Sequence, residues 1–456
     1  MELLLGREPA AKGTSAVYRS PVKWLHDQRL SREFWTFFWA AFFFDFGFAV
    51  YYFLFNLYLL DLHLNERSIG LVAGALTMGS VVGTLPAGLA AKKYGVGRLL
   101  RVCFIAAPLI GILRVMVPEG TGLVAAHVGL GFLSGLAMCL WGVCFLPALA
   151  RATTEENRAS GFSLIFSVSI GTSTLGGLVC GYLPVWLKAA GHPMQGVEVK
   201  QIILVVACVI AAIGLTAVLR MRNENKQDHA GAKTEARLVG EPEQAARLQN
   251  WRLNPFLLRF LPAMALWTGV LAAFTPFANI YLSTNLHIPL SEIGVIFSVA
   301  QVVQLLMGLL TPWLFRTFGL VNGIIATQVL TAVALLFLAA AHNAHLAIAI
   351  YLGFSATQWM SSPGLYNLLM TATPEPDRSM ASSMTMFCNA VFSSVATAGA
   401  GSLFVRYGYP LVLAGIGAFA LLAATIFYLF VDSHQRSATL VGNVGGSAQA
   451  DPGEIE

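Results

Sequence analysis

The stretch that decides the fold is Leu62–Gly70, with the sequence LHLNERSIG, because the chain carries it again as LHIPLSEIG at Leu286–Gly294. The Leu-His pair, the aliphatic residue after it and the closing Ile-Gly pair all return, each displaced by 224 positions. The pair Tyr94-Gly95 returns as Phe318-Gly319 at the same displacement. Matching landmarks between long apolar segments predict a duplicated membrane bundle, and such bundles usually bind substrate where their repeats meet.

The composition indicates that lipid surrounds much of the chain. Of 456 residues, 56% are hydrophobic and 11% are charged, too few charges for the surface of a soluble protein of this length. The apolar segments lack the two-residue alternation of barrel strands. Each is about long enough, at roughly 20 residues, to cross a hydrocarbon core of about 30 Å. We therefore predict an all-α integral membrane fold with twelve transmembrane helices in two six-helix repeats, at 34–60, 68–91, 99–117, 121–149, 160–186, 200–219, 255–282, 291–314, 321–341, 344–370, 379–404 and 411–431.

Breaks in the apolar pattern divide the chain. Residues 220–254 carry mixed charge without periodicity, which is typical of a flexible linker. We expect a cytoplasmic leader at 1–33, a six-helix bundle at 34–219, this linker, a second bundle at 255–431 and a disordered cytoplasmic tail at 432–456.

The basic residues predict the orientation. Of the 28 Lys and Arg residues, all but five lie on one side if residues 1–33 are cytoplasmic, and such a bias places both termini inside the cell. The exceptions are Arg67, Arg114, Lys188, Lys200 and Arg406. The net charge of +5 then reflects topology and contact with membrane lipid, and it requires no nucleic acid. We expect a monomer in the cell (inner) membrane.

Catalytic signatures do not stand out. The sequence contains no G-x-x-x-x-G-K-[ST] loop, no H-E-x-x-H and no G-x-S-x-G, so neither an enzyme nor a nucleotide-driven pump is indicated. All six cysteines fall within predicted helices, which favours neither a disulfide framework nor a metal site. We expect no cofactor, and energy for uphill transport would come from an ion gradient.

A motif follows the second predicted helix, in the segment Gly88-Leu-Ala-Ala-Lys92-Lys93-Tyr-Gly95-Val-Gly-Arg98. It resembles the loop signature of the major facilitator superfamily, Gly-x-x-x-Asp-Arg/Lys-x-Gly-Arg/Lys. The family pattern fits at Gly88, Lys93 and Gly95, but Lys92 replaces the acid and the last base lies two residues late, at Arg98. Together with the twelve predicted helices and the central linker, the resemblance extends over residues 33–431. It implies a transporter that works by alternating access.

In the resembled family this loop holds one face of the bundle closed. A lysine at position 92 cannot make the contact of an acid. It would instead face acids in two matching loops, or it serves only to keep the loop cytoplasmic, and we leave the two interpretations equal. The loops also match the family's acid-then-arginine turn, which ends at Arg158 and Arg378. The acids concerned are Glu155, Glu156, Glu375 and Asp377.

Asp45 is the only acidic residue that the predicted helices place near mid-bilayer. An ionised aspartate there costs about 2.5–3.5 kcal/mol, so it should face water, gain a partner or take up a proton. Proton symporters of the resembled family often carry an acid on the first helix. We favour a proton-coupling role for Asp45 over a purely structural hydrogen bond, because intramembrane acids are usually functional.

Polar stripes accompany Asp45 on the helices that line the path in the resembled family, the first, fourth, seventh and tenth. Asp45, Tyr52 and Asn56 are seven and four residues apart, so they share one helical face. The same spacing recurs in the seventh helix. Amides that only join helices are the alternative, at about 0.6 kcal/mol each. We favour a substrate cavity formed by Tyr52, Asn56, Trp141, Thr268, Thr275, Asn279, Gln301, Gln304, Gln358, Trp359 and Asn389.

Two further polar residues fall near the outer ends of their predicted helices. We expect Arg114 to snorkel to the surface and His127 to lie at the rim. The predicted cavity then contains one acid and no buried cation, which favours a neutral or weakly cationic solute over a phosphate or dicarboxylate.

These observations predict a secondary active transporter that moves a small organic solute by alternating access, with proton coupling, as in a symporter, through Asp45. One alternative is uncoupled facilitated transport with a structural Asp45. Another is a nutrient sensor built on a transporter scaffold, although sensors of that kind usually carry longer folded cytoplasmic extensions than this tail.

Overall fold

The computed structural model describes residues 30–118, 120, 122–154, 157–189, 197–221, 255–373 and 378–429, and within them the chain is helical without a β-strand. The first half contains α1 Arg32–Asp61, α2 Glu66–Tyr94, α3 Val96–Val115, α4 Leu123–Ala152, α5 Arg158–Ala189 and α6 Val197–Arg220. The second half contains α7 Pro255–Asn285, α8 Leu290–Phe318, α9 Leu320–Ala340, α10 Ala344–Thr357, α11 Ser361–Ala372 and α12 Arg378–Phe427. Among the described helices, ten are long and apolar enough to cross a membrane.

Two irregularities explain how the described helices can supply the twelve predicted membrane spans. The predicted helix 344–370 is not continuous, because a turn at 358–360 separates α10 from α11. Pro363 lies in the first turn of α11, where its missing N–H costs no hydrogen bond. The 50-residue α12 is interrupted at Gly408, whose φ of 75° is non-helical. The α10–α11 pair therefore forms one broken span, and α12 supplies the last two.

The repeated landmarks adopt the same backbone in both halves. His63 and His287, after α1 and α7, have φ angles of 60° and 52°, a left-handed conformation that is rare for residues other than glycine. Gly95 and Gly319 separate α2 from α3 and α8 from α9, with φ angles of 86° and 81°. The predicted duplication is confirmed at the level of single residues.

The two halves meet along two helix pairs, α2 with α12 and α5 with α8. Glycines bring the α5 and α8 backbones together, since a Cβ added at Gly294 would lie 2.5 Å from the carbonyl oxygen of Gly177 and 2.7 Å from Cα of Gly181. Small residues of this kind are typical of close contacts between membrane helices.

Hydrogen bonds between the halves lie near one end of the bundle, which we call the turn end because it holds the repeated turns after α1 and α7. Ser394 Oγ donates to the Gly74 carbonyl at 2.7 Å, and Ser298 Oγ donates to the Thr174 carbonyl at 2.8 Å. Tyr409 and Glu66 add a longer contact of 3.4 Å. If the predicted orientation holds, the turn end is the outer end.

Towards the opposite end, α2 and α8 have few close neighbours. A Cβ added at Gly88 or Gly308 would meet nothing within 4 Å. Leu89 and Leu309 are 62% and 70% exposed. Among the described residues, the bonds between the halves therefore lie towards the turn end, whereas these parts of α2 and α8 are exposed towards the other.

Candidate functional site

Asp45 lies near the middle of α1, about 20 Å along the helix from Arg32 at 1.5 Å per residue. Its Oδ2 atom accepts a hydrogen bond of 2.6 Å from Ser169 Oγ on α5. The residue is half-buried, so it has a hydrogen-bond partner and is not fully enclosed by the protein. Ser169 was not among the predicted site residues. Its only signal in the sequence was its place in a run of small polar residues, Ser169–Thr174.

A cavity of about 340 Å³ lies between α5, α8 and the turn that joins α10 to α11. Three of the predicted cavity residues, Gln301, Gln304 and Trp359, line it together with Ile170, Leu305, Gly308 and Leu309. Ile170 follows Ser169, the donor to Asp45, directly in α5. The donor to Asp45 and one lining residue of this cavity are therefore neighbours in the sequence of α5.

Several predicted cavity residues already bond to neighbouring groups. Gln304 Nε2 donates to the Ser355 carbonyl at 3.2 Å, and Thr275 Oγ1 lies 3.3 Å from Gln358 Oε1. The Thr268 hydroxyl donates to its own helix. Asn389 differs, because its Oδ1 atom is buried with no hydrogen-bond partner among the described residues.

The asparagines at the turn end join the halves. Asn56 Nδ2 donates to the Pro276 carbonyl at 2.7 Å, and Asn279 Nδ2 donates to the Phe53 carbonyl at 3.0 Å. The prediction that polar residues of α7 share one face assumed a regular helix. In the structure, residues 275–277 form a 3-10 turn and residues 281–285 form a π turn.

The aromatic residues of the predicted cavity lie in different surroundings. Trp141 packs in an aromatic cluster of the first half, with ring centroids 4.9 Å from Phe44 and 5.6 Å from Phe104. Tyr52 is 37% exposed and faces Ser134 of α4. Tyr52 therefore remains accessible on the Asp45 face of α1.

The loop motif is described only in part. Gly88 and Gly95 have the surroundings given above, Arg98 is exposed, and the Lys93 ammonium lies 5.2 Å from the Tyr94 ring centroid. The side chains of Lys92, Arg158 and Arg378, and the acids Glu155, Glu156, Glu375 and Asp377, lie outside the described part of the chain. A Lys92–acid contact remains a prediction.

Two expectations were wrong. Arg114 does not snorkel to the surface, because it is 1% exposed, and its guanidinium lies 4.0 Å from the Phe55 ring centroid. His127 is not a rim residue, because it is 0% exposed. Arg114 precedes the end of α3 by one residue, but α1 and α4 cover it, which hydropathy alone does not reveal. The premise that no cation is buried in the bundle therefore fails.

Comparisons with known proteins agree with this architecture. Solved structures of the same fold include a nucleoside transporter, with 14% identity over 88% of this chain and 100% of that chain and a TM-score of 0.67. Another is a D-xylose–proton symporter, with 15% identity over 87% of this chain and 96% of that chain and a TM-score of 0.65. A third is the xylose transporter from E. coli in an inward open conformation, with 14% identity over 87% of this chain and 94% of that chain and a TM-score of 0.63. At these identities the likeness shows the fold alone. None of the curated proteins matches the sequence.

A family model described as Major Facilitator Superfamily matches residues 37–397 and, in a second alignment, 274–445. The match spans both halves and the contacts between them. The protein is an integral, multi-pass membrane transporter and belongs to the Major Facilitator Superfamily.

Proposed function

We propose that the protein is a secondary active transporter that moves a small organic solute by alternating access, with Asp45 as the proton carrier. The observation that carries the proposal is the half-buried Asp45 carboxyl group in the middle of α1, bonded to Ser169 at 2.6 Å. Ionised, it would cost about 2.5–3.5 kcal/mol at mid-bilayer without a partner. A hydroxyl donor offsets part of that cost, and a proton removes the charge altogether.

The packing of the halves supports alternating access. The bonds between the halves lie near the turn end, whereas Gly88 and Gly308 face open space towards the other. We propose bundles of residues 34–219 and 255–431 that rock about this contact, joined by a linker at 220–254, with both termini cytoplasmic. The cavity beside Gln301, Gln304 and Trp359 would then open to the cytoplasm.

The test uses purified protein in phosphatidylethanolamine–phosphatidylglycerol vesicles that contain a pH-sensitive dye. Sugars, nucleosides, amino acids and organic acids are first screened by thermal shift, since a ligand stabilises by RT ln(1 + [L]/Kd). Each stabilising solute is then added outside the vesicles. Proton coupling predicts a change in internal pH with wild type and none with Asp45→Asn.

Ser173→Ala is the matched control, because Ser173 lies one turn after Ser169 on α5 but its hydroxyl donates only to its own helix. This variant should behave as wild type. A solute-driven pH change that persists in Asp45→Asn overturns the role of Asp45. Solute flux without any pH change in wild type would instead support uncoupled facilitated transport, with the Asp45–Ser169 bond as a helix contact.

A further inference from the structure

Arg114, near the end of α3, is a buried cation with no counter-ion in the part of the chain that the structure describes. It is 1% exposed, and its Nε and Nη1 atoms are enclosed without a hydrogen-bond partner among the described residues. A guanidinium group carries five N–H donors and stays ionised in proteins. An unpaired charge removed from water costs several kcal/mol, so this arrangement calls for an acceptor that the described residues do not supply.

The side chains around Arg114 do not meet that demand. The Phe55 ring, 4.0 Å from Cζ, offers a cation–π contact, which is worth about 2 kcal/mol when desolvated. His127 of α4 also contacts this ring, edge-to-face, at 6.0 Å between centroids. It is fully buried, and both of its ring nitrogens also lack a partner in the described chain. Two adjacent helices thus present unsatisfied nitrogens in one place.

Neighbouring polar groups are committed elsewhere. The Tyr51 and Tyr58 hydroxyls donate to α3 carbonyls at 3.2 and 3.0 Å. The carboxylate of Asp61 pairs with Lys200 at 2.7 Å. Asp45 lies ten residues before Phe55 on α1, which corresponds to about 15 Å along the helix. Neither Asp61 nor Asp45 therefore neutralises Arg114.

The cluster is tightly packed but has a partly exposed neighbour. A Cβ added at Gly131 of α4 would lie 3.8 Å from Arg114 Nη2 and 3.0 Å from the carbonyl oxygen of Val72, so α4 packs closely against the guanidinium and against α2. Tyr52 lies within electrostatic range of Arg114 and is 37% exposed. Tyr52 follows Asp45 by seven residues, on the same face of α1.

We propose that Arg114, with His127 beside it, binds a carboxylate group of the transported solute, so that the substrate is a small organic anion. The proposal rests on the transport function above and deepens it. A carboxylate accepts two parallel N–H bonds from a guanidinium group, and a neutral imidazole adds one further donor. One anion moving with one proton on Asp45 carries no net charge.

The test compares carboxylates with their uncharged amides at constant ionic strength. Lactate and lactamide, benzoate and benzamide, and nicotinate and nicotinamide are added to the purified protein, and its thermal unfolding is measured. At least one carboxylate should stabilise wild type where its amide does not. Arg114→Gln should raise the apparent Kd about 10- to 100-fold, as expected for lost hydrogen bonds to a charged group. Arg406→Gln, which removes an exposed arginine, should not.

The unfolding temperature without ligand separates binding from a structural role. Removal of an unpaired buried charge should leave Arg114→Gln at least as stable as wild type, and Arg114→Lys should fold and bind weakly. The proposal is overturned if no carboxylate stabilises more than its amide, if Arg114→Gln binds as wild type does, or if it unfolds at a lower temperature. A carboxylate that binds through Arg114 but is not transported in vesicles would instead contradict the proposed function.

Discussion

Asn56 and Asn279 form two equivalent hydrogen bonds, one from each half of the protein to the other. Asn56 Nδ2 donates to the carbonyl oxygen of Pro276, and Asn279 Nδ2 donates to that of Phe53. Donors and acceptors are both related by a displacement of 223 positions, so the two bonds are mates about the pseudo-twofold axis of the duplication. They join α1 to α7 at the turn end, where the proposed alternating-access cycle would separate the halves.

Loss of both asparagine bonds should favour opening of the turn end. Each bond contributes about 1 kcal/mol net, so Asn56→Ala with Asn279→Ala should shift the open-to-closed ratio about 30-fold. Spin labels at the exposed positions Arg67 and Glu292, near the starts of α2 and α8, should report a longer distance in the double variant.

Tyr409→Phe provides the control for this measurement, because its 3.4 Å contact with Glu66 is at the limit of a hydrogen bond. Its distance distribution should match that of wild type. Unchanged distances in the asparagine double variant would mean that these bonds do not hold the turn end closed.

Gly294→Ala should destabilise the contact between α5 and α8. Its added Cβ would meet the backbone of Gly177 and Gly181 at 2.5 and 2.7 Å, and backbone cannot rotate away, so a cost of about 1–3 kcal/mol is expected. Gly171→Ala on α5 is the matched change, since its Cβ meets nothing within 4 Å. The unfolding temperature should fall for Gly294→Ala and stay level or rise for Gly171→Ala. Equal unfolding temperatures would show that α5 and α8 do not pack closely at Gly294.

Gly308→Trp should block transport without unfolding the protein. Gly308 lines the cavity of about 340 Å³, and its missing side chain leaves open space, which an indole ring would fill. Gly415→Trp is the control, because Gly415 is exposed on α12 and also faces open space. Solute uptake in vesicles should vanish only in the first variant, and uptake by both would remove this cavity from the path.

The Lys200–Asp61 ion pair should matter little. It is short, at 2.7 Å, but both side chains are partly exposed, at 20% and 28%, and such pairs contribute about 0–1 kcal/mol. Lys200→Met should lower the unfolding temperature slightly at low salt and less at high salt, because salt screens exposed charges. A large loss that is insensitive to salt would show that this pair fixes α1 to α6.

The fold could be predicted from the sequence because its signals are local. Apolar segments longer than 20 residues specify spans, and the repeated His63 and Gly95 mark turns that both halves form with positive φ. The break before Pro363 was not predicted, since a proline is tolerated in the first turn of a helix and apolar composition does not mark the turn before it.

The candidate site was less predictable because it depends on which helices touch. Asp45 stood out as a lone acid, but its partner Ser169 lies 124 residues away. Arg114 was expected at the surface because it lies near the end of its helix, yet α1 and α4 enclose it. Helical spacing placed Asn56 on the Asp45 face, but it could not reveal a bond across the pseudo-twofold axis.

Counterflow in vesicles tests whether Asp45 carries the coupling proton. In vesicles loaded with solute and held at equal pH, exchange of labelled solute needs no net proton movement, whereas accumulation driven by a pH gradient does. We expect Asp45→Asn to retain exchange and to lose gradient-driven accumulation, while wild type performs both. Accumulation at the wild-type level in Asp45→Asn would show that Asp45 is not the proton carrier.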